Sequence, residues 1–121
     1  MEMTGIIPIL RIFDEEKARE FYLDYLGFSV DWEHRFEPGL PLYIQVSRGA
    51  VVLHLSGHHG DCTPGSAIRI AATDVGELHR ELTAKPYPFL KPGVEHMPWG
   101  GPELALTDPF GSRIIFCESK S

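Results

Sequence analysis

Apolar residues recur along this chain in two rhythms, every second position and every third or fourth, and the rhythms alternate. Residues 6–13 are apolar and rich in β-branched side chains, which predicts a strand. Asp14 then offers an N-cap. Ala18, Phe21, Tyr22, Tyr25 and Leu26 follow at helical spacing and predict a helix of about three turns that Gly27 stops. Three strand-like runs succeed it over residues 28–36, 40–47 and 50–56. EPGLP breaks the first from the second, and Arg48-Gly49 turns the second into the third.

The order then repeats. Residues 66–73 predict a strand, and Asp74, with Glu77 three residues on, predicts a capped second helix that buries Val75, Leu78 and Leu82. Proline is frequent from Pro86 to Pro102, so any strand there is short or irregular. Residues 102–107 and 112–119 predict a closing hairpin. Its DPFG connector, Asp108 to Gly111, carries the Asp, Pro and Gly of a type I turn. Two copies of strand, helix and three strands, offset by about 60 residues, point to an α+β fold rather than a doubly wound sheet, because each copy has only one helix. One domain over residues 1–121 is expected, with module one at about 5–57 and module two at about 66–119.

Composition narrows the partners. Of the 121 residues, 43% are hydrophobic, enough for a core. A net charge of −6 argues against nucleic acid or an anionic membrane as the main partner and is compatible with a neutral or cationic small molecule. No apolar run is long enough to span a membrane. The start, MEMTGIIPILRIF, lacks a basic region and carries Pro8 and Arg11 inside its apolar stretch, so it does not read as a signal peptide. With no secretion signal, Cys62 and Cys117 predict a reduced, cytoplasmic protein with free thiols rather than a disulfide.

LHLSGHHGD, from Leu53 to Asp61, concentrates three histidines and an aspartate and raises the question of a metal. On a straight strand His54 and His58 would stand about 13 Å apart. Gly57 and Gly60 can bend the chain, yet three ligands on one flexible turn make a poorly preorganised site. His58, His59 and Asp61 therefore read as a solvated polar turn. A protonated histidine beside Cys62 would lower its pKa, but Cys62 reads as an incidental loop cysteine. No nucleophile elbow, Walker loop or dinucleotide fingerprint occurs.

The strand ending near Arg11, then Asp14, then EFYLDYLGF resembles the opening of vicinal oxygen chelate proteins, the glyoxalase and bleomycin-resistance superfamily. MPWGGPELALTDPFGSRIIF is similar to the closing hairpin of bleomycin resistance proteins, and PWG beside ALTDP points to that branch. The resemblance covers nearly the whole chain. It implies two βαβββ modules whose curved mixed sheets form a cleft, and a homodimer whose cleft is often completed across subunits. Metal-using members carry ligands on the first and last strands of each module. Those positions match Ile7, His54, Ile68 and Ile115 here, and three of the four have no donor atom. A catalytic zinc takes at least three protein ligands, so the resemblance implies no metal and no other cofactor for this chain.

The resemblance also turns His54 toward the cleft, with Val52 and Ser56, away from Val51, Leu53 and Leu55. Two readings stay open: a histidine that meets a ligand or titrates near neutral pH, or a buried one satisfied by neighbouring backbone. Trp32 and Phe36 fall on one face by period-two alternation, Tyr43 lies in the next strand, and Trp99 matches the tryptophan of PWG. Such planar side chains grip a planar heteroaromatic ligand and hold a cation. Core packing is the alternative. It fully explains Phe21, Tyr22 and Tyr25, and stays open for Trp32, Phe36 and Trp99. Glu33, Glu37, Glu95 and Glu103 read as a solvated face. The candidate ligand-binding set is Trp32, Phe36, Tyr43, His54 and Trp99.

Two functions fit these residues. One is a binding protein that sequesters a small, partly aromatic, cationic compound, as bleomycin-type antibiotics are sequestered. The other is a lyase, isomerase or dioxygenase. It needs a Lewis acid that three isoleucines do not supply, or His54 as a metal-free general base. Binding is the favoured reading, with no catalytic residue assigned.

Overall fold

Strand, helix and three strands follow one another twice in the computed structural model, which describes residues 1–87 and 92–118. Residues 88–91 of the proline-rich stretch, and Ser119 at the predicted end of the hairpin, lie outside the described residues. The first unit, Met1–Pro64, holds β1 (Ile9–Arg11), α1 (Glu15–Arg19), β2 (Ser29–His34), β3 (Tyr43–Arg48) and β4 (Val51–Ser56). Its sheet runs β1-β4-β3-β2, with β1 parallel to β4 and the other pairs antiparallel. The second unit, Gly65–Ser121, holds β5 (Ala67–Ala72), α2 (Val75–Ala84), β6 (Val94–His96), β7 (Pro102–Thr107) and β8 (Arg113–Glu118), ordered β5-β8-β7-β6. Two mixed four-stranded sheets with one helical segment each make the α+β fold. No helix among the described residues is long and apolar enough to cross a membrane.

In the first unit, period-two alternation sends Leu10, Ile44, Val46, Leu53 and Leu55 to the face that meets the helical segment, and all are buried. In the second, Ile70, Leu104, Leu106, Ile114 and Phe116 do the same with Val75 and Leu82. Each such side chain contributes about 1.5–3 kcal/mol on full burial. Both predicted N-caps form: Asp14 Oδ1 accepts from the Lys17 amide and Asp74 Oδ1 from the Glu77 amide, each at 2.9 Å. Gly49, at φ +58°, closes the β3–β4 turn at its expected place. In the DPFG turn the Gly111 amide donates to the Asp108 carbonyl at 3.2 Å, and the Asp108 carboxylate accepts from the Phe110 and Ser112 amides.

Three expectations need correction. β1 is three residues long rather than eight. Pro8 has no N–H to donate, so pairing on that side reduces to its carbonyl accepting from the His54 amide at 3.0 Å. The first helix is not α-helical throughout: after Arg19 it continues as a π-helix over Glu20–Tyr25, with the Leu26 amide reaching the Phe21 carbonyl at 2.9 Å. The wider turn lets Phe21, Tyr22 and Tyr25 all point into the core, the first two ring edge to ring face at 5.0 Å. β2 ends at His34 and carries a register shift between Val30 and Trp32.

Candidate functional site

Cross-strand register in the first sheet lines up two rows on the face away from the helical segment. One row is Ile9, His54, Gln45 and Trp32; the next is Arg11, Ser56, Tyr43 and His34. The shift in β2 makes Asp31 an extra residue, so Asp31 and Trp32 both address this face. The Asp31 carboxylate accepts from Gln45 Nε2 at 3.1 Å and from Ser47 Oγ at 3.0 Å.

That contact sets the protons of the whole row. With its NH₂ turned to Asp31, the Gln45 amide presents Oε1 to His54 Nε2 at 2.9 Å. His54 therefore carries its proton on Nε2 and donates it. Nδ1 is left as an acceptor, and the Tyr43 hydroxyl donates to it at 2.6 Å. Burial lowers the pKa of the half-buried His54, which favours this neutral form. Burial first, and the charge of Asp61 second, raise that of the Tyr43 phenol. His54 thus meets neither description in full. It is satisfied, but by the side chains of Tyr43 and Gln45 rather than by backbone.

The aromatic rings collect around the same row. Trp32 lies nearly parallel to Tyr43, with centroids 6.0 Å apart, and His54 sets its edge against both, at 5.3 and 5.1 Å. Phe36 is not on the strand, so alternation does not place it. It reaches the site from the loop after β2, edge to face with His34 at 4.5 Å and with His58 at 5.7 Å. Trp32, His34, Phe36, Tyr43, His58 and Asp61 line an open hollow of about 330 Å³.

The loop after β4 is more than a solvated turn. The His58 amide donates to Ser56 Oγ at 3.0 Å, and Ser56 Oγ donates to Asp61 Oδ2 at 2.5 Å. These bonds fold the loop over the rim. His59 is exposed as expected, whereas His58 is half-buried, and its Nε2 is buried with no hydrogen-bond partner among the described residues. Cys62, a free thiol, has its pKa raised by burial and Asp61 against the opposing effect of Arg11, so it is not an activated thiolate.

Trp99 belongs to the second unit and is 71% exposed. There it lines a hollow of about 330 Å³ with Arg69, Glu103 and Cys117. Glu103 is buried rather than part of a solvated face. Arg69 Nη2 stands 2.6 Å from its Oε2, and the guanidinium, with a smaller contribution from the Trp99 indole, holds the carboxyl below its ordinary range. Glu33, by contrast, forms an exposed pair with Arg19.

The positions matched to a metal do not form one donor set. Ile7 precedes β1, and His54 has both ring nitrogens engaged. Ile68 pairs with Ile114, so it faces away from Ile115; the residue of β5 that faces with Ile115 is Arg69. The matching was one residue out on β5, and in a strand one residue reverses the face. Among the described residues no group of three or more His, Cys, Asp or Glu is placed to hold a metal ion. The residues present do not fit the metal that other members of the superfamily carry.

Asp31, His34 and Gln45 escaped the sequence reading, and His58 and Asp61 were read only as a solvated turn. Gln45 was within reach, because counting back from the Arg48-Gly49 turn sets it opposite His54. Asp31 needed the bulge, and His58 and Asp61 needed the loop bonds, neither of which has a local signal.

Comparison with known proteins agrees with this fold. The family model described as Glyoxalase superfamily protein matches residues 1–121. No curated protein matches the chain. Among solved structures, a bleomycin-binding protein from bleomycin-producing Streptomyces verticillus, complexed with copper(II)-bleomycin, is 30% identical, with a TM-score of 0.70 and 99% of each chain covered. TnmS3, an antibiotic binding protein from a Streptomyces species, is 21% identical, with a TM-score of 0.76 and 99% of each chain covered. A bleomycin resistance determinant encoded on the transposon Tn5 is 20% identical, with a TM-score of 0.72 over 98% of this chain and 100% of its own. Matched from its first residue to its last, and folded as these relatives are, the chain belongs to the glyoxalase superfamily.

Proposed function

We propose that this protein is a metal-independent binding protein that sequesters a small, flat, partly aromatic molecule, with bleomycin-type antibiotics as the first candidates. The observation that carries the reading is the hollow of about 330 Å³ walled by Trp32, Phe36 and Tyr43, large enough for one fused ring system. Stacking surfaces in a preformed concavity give affinity without chemistry. His54 supports binding over catalysis, because a general base needs a free lone pair and the one on Nδ1 already accepts from Tyr43. The proposed ligand contacts of the first unit are Trp32, Phe36 and Tyr43, with His54 holding the Tyr43 hydroxyl, and Trp99 is a separate proposed contact on the second unit. The reading includes a cytoplasmic homodimer. Its support is the superfamily resemblance together with the exposed apolar side chains of Met3, Ile6, Ile7 and Ile9.

Titration calorimetry with bleomycin and phleomycin tests the ligand class: saturable binding is expected. Elemental analysis of protein purified without added metal tests the mechanism, and a stoichiometric transition metal overturns it. Light scattering in line with gel filtration reads the oligomeric state.

A further inference from the structure

The hydrogen-bond chain Asp31–Gln45–His54–Tyr43 has a consequence for what the hollow recognises. The only hydrogen on Tyr43 Oη is committed to His54, so toward a ligand this oxygen offers lone pairs alone. Asp61, on the same wall, binds Ser56 through Oδ2, and its other oxygen has no partner among the described residues. Tyr43 Oη and the Asp61 carboxylate thus give the polar edge two acceptors, beside the imidazoles of His34 and His58. Its faces are the rings of Trp32, Phe36 and Tyr43, which attract positive charge as well as apolar surface. The nearest cation of these rows, Arg11, is held over the Phe13 ring at 4.6 Å and not over those faces.

We propose that the hollow of the first unit selects a flat ring whose edge carries N–H donors and positive charge, an amidinium or a protonated amino-heteroaromatic, through an acceptor edge formed by Tyr43 Oη and the Asp61 carboxylate. This rests on the binding reading above and adds the residues that set specificity. Raised by burial and by Asp61, the Tyr43 phenol keeps its proton through neutral pH, so the edge does not change character there.

The probes are naphthalene-2-carboxamidinium and its neutral counterpart 2-naphthamide, titrated by calorimetry at pH 8. The wild-type protein is expected to prefer the amidinium by about tenfold or more, the scale of one charge-assisted hydrogen bond. Asp61→Asn keeps an acceptor for Ser56 and is expected to level the preference, while Trp32→Ala weakens both probes alike. Tyr43→Phe keeps the ring and is expected to lower amidinium affinity selectively, which guards against a misfolded loop in the Asp61 variant. Equal affinity for the two probes, or a preference that survives Asp61→Asn, overturns the acceptor edge while ring binding itself stands. Bleomycin binding with neither naphthalene probe bound also overturns the edge and leaves the binding reading. Silence from the naphthalene probes and bleomycin alike overturns both.

Discussion

The hydroxyl of Tyr43 lies 2.6 Å from Nδ1 of His54, on neighbouring strands and one register step apart on the same face. The bond stabilises neutral imidazole, because only the neutral ring has a lone pair to accept it. Tyr43→Phe removes this donor but leaves the burial that lowers the His54 pKa, so it is expected to raise that pKa without restoring its ordinary value and to cost about 1 kcal/mol of stability. NMR titration of the His54 ring and urea denaturation measure the two effects.

Acid stability follows from the same histidine. Burial lowers the His54 pKa in the folded chain, whereas the unfolded chain titrates near 6.5. Below that pH the unfolded state takes up a proton that the folded state resists, so stability held above about pH 6.5 is lost as the pH falls. His54→Gln is expected to flatten this slope between pH 7.5 and 5.5. Urea midpoints for wild type and variant at both values read it.

Asp74 caps α2 through the Glu77 amide. Asp74→Ala leaves that donor without its acceptor and is expected to cost about 1 kcal/mol. A lower urea midpoint with an unchanged m-value distinguishes this from wider unfolding.

Gly111 sits at φ +93°, and a Cβ there would meet nothing within 4 Å. Only the backbone conformation opposes a side chain. Gly111→Ala is expected to destabilise by about 1–2 kcal/mol, while Gly100→Ala, at negative φ with equally open space, serves as the near-neutral comparison. Thermal melts of both variants settle the difference.

Trp32 is the ring most involved in the first unit's site, stacked on Tyr43 and lining the hollow. Trp32→Ala is expected to weaken bleomycin binding by about 1–3 kcal/mol, as loss of an aromatic anchor does. Calorimetry on Trp32→Ala and, separately, Trp99→Ala apportions recognition between the two units.

Much of this molecule was legible in its one-dimensional pattern. Alternation at Leu53, His54 and Leu55 separates core from site face, and Asp14, Asp74, Arg48-Gly49 and DPFG place the helix starts and two turns, because caps and turns are satisfied by residues a few positions away. The same alternation sets His54 on the site face, beside the strands that carry Trp32 and Tyr43. What folding alone decided is how these side chains are joined. The bulge that turns Asp31 beside Trp32, the Gln45 amide that dictates the His54 tautomer, the Ser56–Asp61 bond that brings His58 over the rim, and the reversal of Ile68 all depend on register against a neighbouring strand or on a loop closing back. Those energies belong to pairs of residues distant in sequence, so no local rhythm carries them.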